Sequence, residues 1–151
     1  MSDIKTEFLF GMTLDLEISI LGDTPLGIRR IARLNSGRFE GPRLSGTVLP
    51  GGGGWMLVRR DDVLEIDMRV TLDTTDRQQI YMHWRGLRHG PKDVIARLAR
   101  AENVDPAAYY FRTTPYFETS SDRYSWLNRI CAIGTGSVAA NERILNVYEV
   151  L

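Results

Sequence analysis

The chain has 151 residues and balances 19 Lys+Arg against 19 Asp+Glu, so it lacks the broad basic field that drives nonspecific nucleic-acid or membrane-surface binding, and neither partner is expected. Cys131 is the only cysteine, which excludes an internal disulfide, and with two histidines no metal site is expected. The length suits a single β-barrel domain over residues 1–151. The acidic start MSDIKTEFLF, and the lack of any apolar run near the ~20 residues of a membrane helix, lead to the expectation of a cytoplasmic protein.

In chain order, residues 8–20 (FLFGMTLDLEISI) alternate Leu14, Leu16, Ile18 and Ile20 with Asp15, Glu17 and Ser19, which predicts a half-buried strand. Turn residues follow at Gly22-Asp23-Thr24-Pro25 and again over residues 50–54. Residues 64–72 (LEIDMRVTL) place Leu64, Ile66, Met68, Val70 and Leu72 on one face and Glu65, Asp67, Arg69 and Thr71 on the other. Breakers at residues 73–76, at Gly90-Pro91 and at Gly134-Thr135-Gly136 separate further strands over residues 79–87, 126–133 and 144–151. Residues 92–103 (KDVIARLARAEN) change period: Val94, Ile95, Leu98 and Ala101 fall at helical spacing after Pro91. Eight to ten strands with one short α-helix near residues 92–103 predict an all-β fold, a closed or nearly closed antiparallel β-barrel.

Two segments bear on chemistry. Residues 37–55 (GRFEGPRLSGTVLPGGGGW) hold a run of four glycines but lack the Gly-Lys-Ser/Thr ending of a phosphate loop, so they are expected to turn the backbone tightly at a barrel rim. Residues 109–128 (YYFRTTPYFETSSDRYSWLN) concentrate tyrosines, Arg112, Arg123 and Glu118, a composition suited to a pocket for a flat, anionic, phenolic ligand. The same residues also suit a hydrophobic mini-core with an Arg112–Glu118 ion pair. His83 and His89 are too far apart, without a carboxylate cluster, to suggest metal binding, and no nucleophilic triad or dinucleotide fingerprint is present. Alternation alone assigns Glu65, Asp67, Arg69 and Thr71 to a solvated outer face; the other arrangement turns this polar face into the barrel lumen.

Phe39-Glu40-Gly41-Pro42, residues 44–52 with Trp55, residues 67–72, Ile80-Tyr81 with Arg85-Gly86, residues 109–112 leading to Phe117-Glu118-Thr119, Arg123-Tyr124 and Trp126-Leu127-Asn128 follow one another along nearly the whole chain. Together they resemble the signature of the small bacterial barrel family known as domain of unknown function 3237. The resemblance implies a calycin-like antiparallel barrel, often a homodimer, and, through a few relatives, cofactor-free decarboxylation of lignin-derived cinnamate-type acids. The chain departs from that signature at Arg38, at Gly54 (where members usually carry aspartate) and at Asp76-Arg77.

On this basis the expected function is a cofactor-independent lyase acting on a phenolic aromatic acid, with an isomerase, cyclase or dehydratase, or a noncatalytic ligand-binding barrel, as alternatives. Glu118 or Asp67 is the expected proton donor, Arg69 or Arg112 the carboxylate clamp, and Tyr81 with Tyr116 or Tyr124 the phenol contacts, while Trp126 and Trp55 complete the ligand surface. Arg69, Tyr81, Arg112 and Glu118 are expected to line the lumen. No cofactor is required.

Overall fold

The computed structural model describes residues 2–151. The alternating runs form β1 (Thr6–Thr24), β2 (Gly27–Glu40), β3 (Ser45–Val48), β4 (Gly53–Val58), β5 (Leu64–Thr74), β6 (Gln79–His89), β7 (Tyr110–Glu118), β8 (Cys131–Ala139) and β9 (Glu142–Val150). One helix, α1 (Lys92–Ala99), separates β6 from β7. The strands run β1-β9-β8-β7-β6-β5; β3 and β4 then bridge β5 to β2, and β2 pairs back with β1. That last pairing closes the nine-stranded sheet into a ring, and every pairing in it is antiparallel, as the sequence predicts.

β3 and β4 share one position in the wall. β3 lies between residues 37–40 of β2 and 72–74 of β5, and β4 lies between residues 28–33 and 64–69 of the same two strands. The glycine run makes the step between them, with Gly51 at φ 96, a value that an L side chain resists. The tight turn is therefore real, but it sits within the wall and not at a rim.

Three local expectations are corrected. Residues 126–129 belong to a 3-10 turn (Ser125–Arg129), and β8 begins only at Cys131, because Leu127 is drawn into the core. The Gly134-Thr135-Gly136 stretch is not a breaker but lies inside β8, where a Cβ on Gly136 would stand 2.5 Å from the Phe111 ring. The helix ends at Ala99 and not at residue 103: Ala101 turns to φ 58, and the amides of Arg100, Ala101 and Glu102 close back onto the last carbonyls.

The apolar stripe of each strand faces inward. Leu64, Ile66, Met68, Val70 and Leu72 of β5, Ile80, Met82 and Trp84 of β6, Met12 and Leu14 of β1, and Leu145 and Val147 of β9 are all buried in one core. In β2 the inward phase runs through Ala32 and Leu34, and it shifts to Phe39 across the irregularity near Ser36.

The two ends of the ring differ. At one end Phe10 packs edge-on against Phe39 and Phe117, with centroids 5.4 Å and 6.1 Å apart. The β5–β6 turn is clasped there as well: the buried Tyr124 hydroxyl donates to Asp76 Oδ1 at 2.8 Å, and Thr74 Oγ1 donates to the same oxygen at 2.7 Å. The opposite end is not filled. The cavity at that end is lined in part by Ile95, Leu98 and Ala99 of α1, whose Val94 and Leu98 are buried.

Candidate functional site in the barrel lumen

At the α1 end the lumen holds a cavity of about 320 Å³. This falls within the roughly 300–1,000 Å³ typical of small-molecule sites. Its wall is mostly apolar: Leu14, Leu16 and Ile18 from β1, Met56, Ile66 and Met68 from β4 and β5, Trp84 from β6, Phe111 from β7 and Leu145 from β9. Phe111 lies against Gly136, whose missing side chain leaves room for the ring.

Three polar side chains interrupt this wall, and all three are arginines: Arg30 of β2, Arg88 of β6 and Arg143 of β9. They reach the lumen because each shares the inward phase of its strand. Arg88 follows Ile80, Met82 and Trp84, Arg143 precedes Leu145 and Val147, and Arg30 precedes Ala32 and Leu34. The bond register explains their meeting at one level: Arg30 pairs with Ile20 and Met56, Arg88 with Leu64 and Phe111, and Arg143 with Leu14 and Val138.

Among the described residues, no acidic side chain lines this cavity. Among the described residues, none of the three arginines takes part in an ion pair. The Nε atoms of Arg30 and Arg88 are buried without a hydrogen-bond partner. Burial first, then the charges of Arg143 and Arg30, pull the Arg88 guanidinium down to about 10. Arg143 is also lowered, by burial and then by Arg30. An arginine guanidinium is a cation in proteins, so three of them make the lumen a concentrated positive site in an apolar wall. The neighbouring Tyr109 is buried, and its hydroxyl oxygen accepts the Val138 amide at 3.0 Å, which leaves its own proton free to donate.

The residues expected to line the lumen lie elsewhere. Arg69, Tyr81, Arg112 and Glu118 all stand on the outer wall, opposite in phase to the buried alternates of β5, β6 and β7, and their placement in the lumen is corrected. The reason is desolvation: turning these groups inward would bury their charges and expose Ile66, Met68, Met82 and Phe111. Asp67 also faces outward, where it accepts Arg69 Nη1 at 3.2 Å and stands 2.9 Å from His83 Nε2. The structure does gather part of the set on this outer face, since Tyr81 pairs with both Thr71 and Glu118, and His83 pairs with Arg69 and Tyr116.

Arg112 does not pair with Glu118; it donates to the Phe111 carbonyl at 3.0 Å and lies near the Tyr110 ring. Arg112 and Tyr110 line an open groove on the outer wall with Leu87 and Ile133. Tyr116 is 63% exposed and Trp55 59% exposed. Trp126 is covered by the Arg43 guanidinium at 3.6 Å, and Tyr124 belongs to the clasp on Asp76. At Gly54 a Cβ would run into the Asp67 backbone carbonyl and stand 2.6 Å from Met68 Sδ.

A closed antiparallel ring around an arginine-lined lumen cavity defines the class: a small β-barrel. The chain belongs to the family described as Protein of unknown function (DUF3237), which it matches over residues 4–150. It is 32% identical over 149 residues to the UPF0311 protein RPA1785 of Rhodopseudomonas palustris, covering 98% of this chain and 97% of that one. The crystal structure of that conserved protein of unknown function superposes with a TM-score of 0.95 at 31% identity over 100% of both chains. A beta-barrel like protein from Acinetobacter baumannii AYE superposes with a TM-score of 0.86 at 36% identity, covering 100% of this chain and 98% of that one. An enzyme from Penicillium herquei shares the fold at a TM-score of 0.72 and 22% identity, covering 100% of this chain and 97% of that one. Among the described residues no helix is long and apolar enough to cross a membrane.

Proposed function

We propose that this protein binds a small organic acid inside the barrel, with its anionic head on Arg30, Arg88 and Arg143 and its apolar body along Trp84, Phe111, Ile66 and Leu14. One observation carries the reading: three guanidiniums share an apolar cavity that contains no carboxylate. Burying like charges without a partner is costly, and an arriving anion offsets that cost with charge-assisted hydrogen bonds. The indole of Trp84 and the ring of Phe111 favour an aromatic body, so a phenolic or cinnamate-type acid remains a suitable ligand, with its carboxylate clamp in the lumen in place of Arg69 and Arg112.

Decarboxylation also needs a proton donor beside the alkene carbon. Glu118 and Asp67 stand on the outer wall, and among the described residues no acidic side chain lines the lumen to take that task. Binding is therefore the function the geometry supports best, with turnover as a further property to be measured. Calorimetric titration with ferulate-like acids, run alongside carbon dioxide detection, tests both. Saturable binding abolished by Arg88→Met supports the proposal. Binding that is indifferent to that change overturns it, and carbon dioxide release restores the lyase.

A further inference from the structure

We infer that the head group this lumen selects is a tetrahedral dianion, a phosphate monoester on an apolar or aromatic body, in preference to a carboxylate. This deepens the lumen reading above and rests on it. The first support is charge. Arg30, Arg88 and Arg143 carry three positive charges, and no acidic side chain lines the cavity to offset any of them. A carboxylate neutralises one of the three, whereas a phosphate monoester near pH 7.5 carries close to two negative charges.

The second support is the donor count. A carboxylate offers two oxygens in one plane, so three guanidiniums must share them. A phosphate monoester presents three terminal oxygens, one for each arginine. The three side chains also approach from β2, β6 and β9, separate positions around the ring, so they surround a head group and do not line one side of it. A three-sided cradle fits a tetrahedral group better than a planar one.

The test uses three ligands that share one ring: 2-naphthyl phosphate, 2-naphthyl sulfate and 2-naphthoate, titrated calorimetrically into the intact protein at pH 7.5 and low salt. The phosphate is expected to bind at least about tenfold tighter than the other two. That advantage should shrink at pH 5, where the ester is a monoanion because its second ionisation lies near pH ~6. Arg143→Met should also narrow the gap. The pH comparison needs only the unmodified chain, so the test survives if the variant fails to fold.

Sulfate binding as tight as phosphate, or a phosphate advantage unchanged at pH 5, overturns the dianion assignment. Naphthoate binding as tight as phosphate likewise overturns it while leaving the lumen reading intact. If none of the three binds, or if Arg88→Met leaves all three affinities unchanged, the lumen reading fails with it.

Discussion

Arg88→Met should make the ligand-free protein more stable while it destroys the binding site. The depression of the guanidinium to about 10 corresponds to roughly 3 kcal/mol of lost preference for the charged form on folding. Methionine keeps an apolar stem against Trp84 and Phe111 and removes the charge, so part of that cost is recovered. A gain of about 1–3 kcal/mol is expected, or roughly 2–8 °C in Tm for a chain of this size. Urea titration at low ionic strength measures it as a rise in the midpoint at unchanged slope.

The pH dependence has a definite sign. Below about 10 both the folded and unfolded chains hold the Arg88 proton, and the penalty is present in full. Above that pH the folded state gives up the proton first, so the unfolded chain binds more protons and the wild type gains on the variant. The stability gap should be flat from pH 6 to 9 and narrow above 10. A variant destabilised by more than about 1 kcal/mol at pH 7, with no change in slope, would refute the reasoning, because Arg88 would then have a partner that it loses.

Trp84→Ala should cost about 3–5 kcal/mol in urea denaturation, since the indole is fully buried, and it should weaken aromatic ligands more than aliphatic ones in calorimetry. Glu118→Gln is expected to leave lumen affinity within about twofold and stability within ~0.5 kcal/mol, because the carboxylate faces solvent. A large loss of affinity in that variant would return Glu118 to the site. The Asp76 carboxyl is held below its ordinary value, first by the Thr74 hydroxyl and then by that of Tyr124. The stability it contributes is present above the ordinary carboxylate range and lost as pH falls through the lowered value. Asp76→Asn should therefore flatten the acid limb of a thermal-melt profile, and an unchanged limb would show that the clasp contributes little.

Sequence alone located β1, β5, β6 and β9, because a period of two is a local property written into runs such as Leu64, Ile66, Met68, Val70 and Leu72. It also determined that Asp67 and Arg69 share one face and that a helix starts after Pro91. A period says which residues lie together and not which face is turned inward. That depends on closure: once the ring forms, burying aliphatic stripes is favourable and burying charges is costly, so Arg69, Tyr81, Arg112 and Glu118 go outward. The arginines that do enter the lumen left a trace, since Arg88 and Arg143 each continue an apolar stripe in phase. Their convergence with Arg30 was not legible, because β2, β6 and β9 are distant in the chain and only the register of the closed sheet brings them to one level.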